Sequence, residues 1–144
     1  MPTVAELIAE KSRRVISAAP DTTVLDAVQL MSAEHIGSVI VTEGPKVVGI
    51  FTERDVMNRV VAARRDPAAT RLRDVMTTPV ACATPETTLA ECSSLMTQRN
   101  LRHVPIVENG RAIGMVSGGD IIARENHVQQ QTILYLHEYL HGRV

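Results

Sequence analysis

The sequence predicts a mixed α/β (α+β) fold made of two copies of one β-α-β-β-α unit, followed by a long C-terminal helix. Three observations predict it: an internal repeat without gaps, apolar residues at helical spacing in each copy, and hairpin turns at matching positions. We divide the 144 residues into an approach segment with repeat one (1–66), a linker with repeat two (67–126) and a C-terminal helical extension (127–144). Each unit alone would have a marginal core, so we expect the two to pack together.

The repeat becomes visible when the sequence is shifted by 65 positions, so that Pro20 aligns with Pro85. Residues 15–56 then align with 80–121 without a gap. VISAAPDTTVLDAVQLM lies on VACATPETTLAECSSLM, and VVGIFTERDV lies on AIGMVSGGDI. An ungapped match of this length indicates that one structural unit occurs twice.

Each unit begins with a short β-rich stretch, over 15–17 and 80–82, that runs into a Pro-Asp/Glu-Thr-Thr turn. Thr and an acid at this place suit a helix N-terminus, through capping and through the helix dipole. The helix that follows has apolar residues at i, i+3, i+4 and i+7 spacing. They are Val24, Ala27, Val28 and Met31 in repeat one, and Leu89, Cys92 and Met96 in repeat two.

Two strands and a second helix complete each unit. The strands are predicted over 38–41 and 47–51 in repeat one, and over 103–107 and 112–116 in repeat two. The turns EGPK and ENGR join them, and Asn-Gly is the stronger hairpin signal. A second helix is predicted to start at Thr52 and at Ser117. Residues 121–141 contain neither Pro nor Gly, which predicts one long C-terminal helix with a stripe at Ile133, Leu136 and Leu140.

The composition excludes several classes of function. A net charge of -1 and three aromatic residues argue against a nucleic-acid surface, which needs basic patches and stacking platforms. No apolar run is long enough for a membrane span, and the N-terminus has no signal-peptide pattern. We therefore expect a cytoplasmic protein. Cys82 and Cys92 are expected to be free thiols at packing positions.

With the repeats placed, the chain resembles a stand-alone pair of cystathionine β-synthase (CBS) domains. IGSVIV with VVGIFTERDV, LRHVPIVENGRAIGMVSGGDII and the approach segment AELIAEKSRRVISAAPDTTVLDAV carry the resemblance. It implies two repeats about a pseudo-twofold axis, a homodimer shaped like a disk, and clefts for adenosine-containing ligands such as AMP, ADP, ATP or NAD(H). It further implies a non-catalytic regulatory module without a catalytic cofactor, whose output passes through an unidentified protein target or the ligand pool.

Two short motifs are the main candidates for ligand contacts: Thr52-x-x-Asp55 in repeat one and Ser117-x-x-Asp120 in repeat two. Each could be a capping box, in which the hydroxyl caps the helix and the acid reaches back. The resemblance implies that each Asp also accepts hydrogen bonds from ribose hydroxyls. Repeat one matches the family pattern more completely, because Gly-Gly replaces Glu-Arg between the hydroxyl and the acid in repeat two.

Basic residues near these motifs are candidates for phosphate contacts. They are Arg54, Arg102 and His103, although each could equally belong to a solvated face. Pro105, two residues beyond His103, fits an edge strand and is assigned to the same site by resemblance. Lys11, Arg13 and Arg14 are further basic residues that could reach a phosphate.

The wall for an adenine ring would be apolar and would use backbone groups. The resemblance places it on the first strands of the repeats, with Ser38 on a second strand. The candidates are Val15, Ile16, Val80 and Ala81. Residues of this kind equally suit a plain hydrophobic core.

The C-terminal string HEYLH, at 137–141, matches the H-E-x-x-H pattern of zinc peptidases. A catalytic zinc needs a third protein ligand, and only three residues follow His141. The two histidines flank the apolar stripe, which favours a helix contact. Two alternatives to ligand binding stay open: an interaction module whose clefts bind nothing, tested by removing 128–144, and, more remotely, a zinc hydrolase, tested by Glu138→Gln.

Overall fold

A computed structural model describes residues 2–11 and 14–125. The elements in chain order are α1 (Val4–Lys11), β1 (Ser17–Ala18), α2 (Val24–Glu34), β2 (Ser38–Glu43), β3 (Lys46–Thr52), α3 (Glu53–Asp55, continued by a π-helix over Val56–Val61), α4 (Leu72–Val75), α5 (Leu89–Arg99), β4 (His103–Glu108), β5 (Arg111–Ser117) and α6 (Gly118–Glu125). The mixed α/β fold with two repeats is confirmed. The predicted C-terminal helix and HEYLH lie outside the described residues.

Threonine caps start the first helix of each repeat, as the sequence predicts. The Thr23 hydroxyl accepts a hydrogen bond from the Asp26 N–H at 3.2 Å, and the Thr88 hydroxyl accepts one from the Glu91 N–H at 3.1 Å. In α5 the Glu91 carboxylate also accepts from the Thr88 N–H, at 2.9 Å, which completes a capping box. Both helices therefore begin where the Thr-Thr pairs place them.

Residues with positive φ end these helices and form the hairpin turns. His35 (φ 56°) and Asn100 (φ 53°) are left-handed C-caps of α2 and α5. In the second hairpin Asn109 (φ 55°) and Gly110 (φ 78°) are both left-handed, as a type I′ turn requires. In the first hairpin, Gly44 (φ 59°) is also left-handed. The strong Asn-Gly turn signal is confirmed.

The sheets follow the predicted hairpins. β2 pairs antiparallel with β3, and β4 pairs antiparallel with β5, with an irregularity at matching places in both. β1 pairs parallel with β2 through Ser17 and Ala18, and a single parallel bridge from Ala83 to Ile106 replaces that strand in repeat two. The β-rich stretches predicted over 15–17 and 80–82 are thus shorter and lie later in the chain, because their pairing depends on a distant parallel partner.

The segments before the two repeats pack crosswise. Val4 and Leu7 of α1 belong to the hydrophobic cluster of repeat two, whereas Leu72 and Val75 of α4 belong to the cluster of repeat one. Backbone hydrogen bonds repeat this pattern: Val4 N–H donates to the carbonyl of residue 87, and Leu72 N–H donates to that of residue 22, both at 2.9 Å. Each leading segment therefore completes the core of the other repeat, which ties the two into one unit.

Two equivalent glycines allow these segments to lie close to the sheets. A Cβ on Gly114 of β5 would stand 2.7 Å from Ile8 Cδ1, and a Cβ on Gly49 of β3 would stand 2.4 Å from Met76 Sδ. Both distances are shorter than any normal contact, so neither position tolerates a side chain without movement. The reciprocity of the two contacts is what an approximate twofold axis requires.

The second helices differ between the repeats. Helix α3 becomes π-helical after Asp55, whereas α6 stays α-helical over its described length. Apolar side chains on both are exposed: Met57 (60%), Val61 (66%) and Ile122 (57%). Within residues 2–11 and 14–125, no helix has the length and apolar character to cross a membrane.

Candidate functional site

Two clefts between the repeats contain most of the predicted site residues. The first, which we call the Asp120 cleft, has a volume of about 180 Å³. Val15, Ile16 and Ser38 of repeat one line it, together with Ser117 and Asp120 of repeat two. Apolar and polar candidates that are distant in the sequence thus meet across the repeat boundary.

The second, which we call the Asp55 cleft, has a volume of about 370 Å³. It brings together Thr52, Arg54 and Asp55 of repeat one with Arg102 and His103 of repeat two. The two clefts correspond under the 65-residue shift. His103 lines both of them.

Asp120 is half-buried at the junction of β5 and α6. Its carboxylate Oδ2 accepts a hydrogen bond from the Ser117 N–H at 2.8 Å, and its own N–H donates to Ser117 Oγ at 3.1 Å. The capping interpretation of this motif is therefore correct. Because the same carboxylate lines the cleft, capping and ligand contact are compatible at this position.

Asp55 makes the same capping box but lies deeper, with 5% of its surface exposed. Its Oδ2 accepts from the Thr52 N–H at 3.0 Å and from the Thr52 hydroxyl at 3.3 Å. The Thr77 hydroxyl lies 3.0 Å from Oδ1 and 3.2 Å from Oδ2, and Arg59 Nε lies 3.5 Å from Oδ1. Both carboxylate oxygens of Asp55 are thus already engaged by the protein.

One arginine and two histidines line the Asp120 cleft. Arg14 lines it and forms an exposed ion pair with Glu34 at 3.6 Å. His35 and His103 line it as well. A phosphate entering beside Asp120 would therefore meet groups that carry or can accept positive charge.

The Asp55 cleft has its own basic rim. Arg54 donates a hydrogen bond to the Asn100 carbonyl at 2.8 Å, and Arg102 is exposed. Glu53 offsets part of this charge. It approaches Gly37 so closely that a Cβ there would stand 2.1 Å from Glu53 Oε1, so the glycine makes room for this carboxylate.

Three predicted site residues lie elsewhere. Pro105 is buried in β4, where its carbonyl accepts from the Ala83 N–H at 3.0 Å, and it lines neither cleft. Val80 lines a third cavity, of about 480 Å³, beside Lys46. Ala81 lines none of the three. In repeat one, two residues of the equivalent stretch pair with β2. In repeat two, only the single bridge from Ala83 to Ile106 connects this stretch to β4, so the two repeats differ at this place.

Sequence reasoning missed two residues that line these clefts, His35 and Thr77, and one that contacts Asp55, Arg59. His35 has a signal that could have revealed it, because it occupies the left-handed C-cap position that Asn100 occupies in repeat two. Arg59 stands four residues after Asp55, which is a helical pairing distance. Thr77 has no signal, since the crosswise packing of the linker brings it to Asp55.

Other chemistry is limited in the described part of the chain. No group of three metal-binding side chains occurs there. Cys92 is a buried free thiol whose pKa is raised by burial, which confirms its packing role. Cys82 is also free but exposed, so the expectation that it packs in the core is wrong. It lies in the weakly paired stretch before Ala83.

These features define a tandem-repeat α/β module with two related clefts between its repeats. The CBS domain family model matches residues 4–62 and 72–126, and the chain belongs to this family. A solved structure described as the CBS domain NE2398 superimposes with a TM-score of 0.81 at 34% identity, over 85% of this chain and 96% of that one.

Relatives at similar identity come from a plant and a bacterium. CBS domain-containing protein CBSX3, mitochondrial, of Arabidopsis thaliana is 33% identical over 127 residues, which are 85% of this chain and 62% of that relative. CBS domain-containing protein YhcV of Bacillus subtilis is 31% identical over 112 residues, 78% of this chain and 79% of its own length. The chain thus spans less than two thirds of CBSX3 and most of YhcV.

Proposed function

We propose that the chain is a non-catalytic regulatory module that binds an adenosine-containing ligand between its repeats, with the Asp120 cleft as the tighter site. One observation carries this proposal. The cleft brings together an acid and a hydroxyl at a helix N-terminus, apolar side chains of repeat one, an arginine and two histidines. Such a set of groups suits a ribose, an apolar ring and a phosphate at the same time.

Each group has a distinct task in this proposal. The Asp120 carboxylate accepts hydrogen bonds from ribose hydroxyls, and Val15 and Ile16 contact the adenine ring. Arg14 and His103 face the phosphate. A nucleotide monophosphate or a larger relative provides all three parts, whereas a free base or a free sugar provides only one.

The size of the Asp120 cleft links binding to regulation. Its volume of about 180 Å³ is below the ~300–1,000 Å³ typical of ligand pockets. Because both repeats contribute walls, a nucleotide bound in the cleft contacts both repeats at once. The ligand then favours one arrangement over another, which is the differential contact that a switch requires.

The Asp55 cleft is the weaker site in this account. It is larger, but Thr77 and Arg59 already occupy the oxygens that a ribose would need. A ligand there has to displace these partners or use the basic rim of Arg54 and Arg102 alone. Phosphate contacts without the ribose contact would give low selectivity.

A regulatory role agrees with where similar sequences occur. The chain matches an inosine-5'-monophosphate dehydrogenase of Methanocaldococcus jannaschii at 35% identity, over 22% of that enzyme's length. The matched part is thus a minor portion of an enzyme. We propose by analogy that this CBS pair also serves as an accessory module. A cytoplasmic location stays a prediction.

We further propose that two copies associate through the exposed apolar side chains Met57, Val61 and Ile122. Met57 and Ile122 are equivalent under the 65-residue shift, and both are more than half exposed. In a dimer with a twofold axis, these exposed apolar side chains of one chain would contact those of the other. Sedimentation equilibrium should show a dimer that Met57→Lys weakens, and a monomeric wild-type chain would contradict this.

Differential scanning fluorimetry with AMP, ADP, ATP and NADH tests the ligand proposal, together with mass spectrometry of small molecules that co-purify. We expect a rise in melting temperature with at least one adenosine ligand and none with guanosine monophosphate at equal concentration. The alternative, an interaction module with empty clefts, predicts no rise with any of them.

A further inference from the structure

Three residues with polar side chains are buried in the described part of the chain. They are Ser38, Asp55 and Thr70, with 5%, 5% and 7% of their surface exposed. The protein binds two of these side chains: Asp55 accepts a hydrogen bond from the Thr77 hydroxyl at 3.0 Å, and the Thr70 hydroxyl donates to the carbonyl of Asp66 at 2.7 Å. Among the residues that the structure describes, none forms a hydrogen bond with the Ser38 hydroxyl. Buried polar groups nearly always have a partner, so this exception points to a group outside the chain.

The alternation of side chains along β2 directs the Ser38 hydroxyl towards repeat two. Successive side chains of a strand point to opposite faces of the sheet. Val39 and Val41 belong to the hydrophobic cluster of repeat one, so Ser38 and Ile40 lie on the other face, and both line the Asp120 cleft. No side-chain oxygen or nitrogen in the described part of the chain is sealed from solvent without a partner. The Ser38 hydroxyl therefore opens into this cleft.

Ser38 belongs to the apolar wall of the Asp120 cleft. β1 pairs parallel with β2, and Ser17 lies opposite Ile40. The same register, continued by two residues, places Val15 opposite Ser38. Val15 and Ile40 line the cleft together with Ser38. The hydroxyl thus lies on the wall of repeat one, which the proposed function assigns to the ring of the ligand, and not on the helix N-terminus of repeat two.

We infer that the Ser38 hydroxyl forms a hydrogen bond with the polar edge of the ligand's six-membered ring, where adenine has its amino group and ring nitrogens. A hydroxyl both donates and accepts, so it can pair with either kind of group. A ring with an apolar edge would leave the buried hydroxyl without a partner, and the cleft therefore selects against it. The inference rests on the proposed function and names the residue that recognises the ring.

The first experiment needs no ligand. Ser38→Ala removes a hydroxyl that the chain itself does not bind, so the melting temperature of the unliganded protein should stay unchanged or rise. Ser117→Ala is the matched control, because it is the same substitution in the same cleft. The Ser117 hydroxyl accepts from the Asp120 N–H at 3.1 Å, so its loss should lower the melting temperature by about 4 °C. An equal fall in the Ser38 variant would overturn the inference, because the hydroxyl would then serve the fold.

The second experiment is titration calorimetry with two ligands. Ser38→Ala should weaken binding of AMP about fivefold, the size expected for one neutral hydrogen bond. Thr70→Val, which removes a buried hydroxyl that lines neither cleft, should leave this affinity unchanged. The 5'-monophosphate of benzimidazole riboside keeps the shape of AMP but has no amino group and no nitrogen in its six-membered ring. The wild-type chain and the Ser38 variant should therefore bind this analogue equally.

The outcomes separate the inference from the proposed function. An AMP affinity that Ser38→Ala does not change would overturn the inference and leave the proposed function in place. The same holds if the variant loses equal affinity for AMP and for the benzimidazole nucleotide, because the hydroxyl would then contact another part of the ligand. A wild-type chain that binds neither AMP nor any other adenosine ligand would overturn both.

Discussion

Repeat one and repeat two present the same hydroxyl-x-x-Asp motif at the same strand-to-helix junction, yet the two acids have different surroundings. Asp55 is buried and bound by Thr52, Thr77 and Arg59. Asp120 is half-buried on the wall of a cleft that both repeats form. The motif alone therefore does not determine how deeply its acid is buried or which side chains surround it.

The difference comes from the segments that precede the repeats. The linker contributes Thr77 to the surroundings of Asp55, and α1 contributes Glu10, which holds Arg124. The sequences of the two repeats follow nearly the same pattern. Two leading segments of different sequence thus give one duplicated motif two different sets of neighbours.

The largest expected contrast is in stability. Asp55→Ala should lower the free energy of unfolding by about 3 kcal/mol, because it leaves the half-buried Thr77 hydroxyl and the Thr52 N–H without their acceptor. Asp120→Ala should cost about 1 kcal/mol, the usual value of a helix cap. Urea unfolding followed by circular dichroism measures both. Equal losses would mean that the two acids have equivalent surroundings after all.

A second contrast concerns the glycines under the leading segments. Gly114→Ala should cost about 2 kcal/mol, because the branched Ile8 side chain cannot easily move away. Gly49→Ala should cost about 1 kcal/mol, because the flexible thioether of Met76 can rotate. Thermal unfolding of the two variants makes the comparison. A larger loss at position 49 would show that the linker is packed more rigidly than α1.

The smallest contrast is at the first helices. Hydrogen bonds from the Thr88 N–H and hydroxyl hold the pKa of Glu91 below its usual value. A lowered folded-state pKa means that this carboxylate stabilises the fold above its ordinary pKa of about 4.3 and ceases to do so as the pH falls through the lowered value. Glu91→Gln should therefore lower the unfolding midpoint at pH 7 and have less effect at pH 3.

Asp26 is the matched position for this experiment. Glu91 accepts a hydrogen bond from the N–H of its cap residue, Thr88. In the described part of the chain, Asp26 makes no such bond to the N–H of its cap residue, Thr23. Asp26→Asn should accordingly change the midpoint less at pH 7. An equal change in the two variants would remove the distinction between the caps.

Much of the fold follows from the sequence, because its signals are local. The 65-residue shift, the Thr caps and the Asn-Gly turn predict both helices and the hairpin of each repeat. The two hydroxyl-acid motifs predict the positions of the clefts. Local patterns do not show which repeat a leading segment packs on, and this decides where Thr77 and Glu10 lie. For the same reason the local pattern does not distinguish Val80 and Ala81 from Val15 and Ile16.

The measurement that tests the account most directly is calorimetric titration of AMP into Asp120→Ala and into Asp55→Asn, beside the wild-type chain. Charge-assisted hydrogen bonds contribute about 1.5–3 kcal/mol each, so loss of Asp120 should weaken binding at least about tenfold. The Asp55 variant, if folded by circular dichroism, should lose less. Full affinity in the Asp120 variant, with the larger loss in the Asp55 variant, would contradict the account.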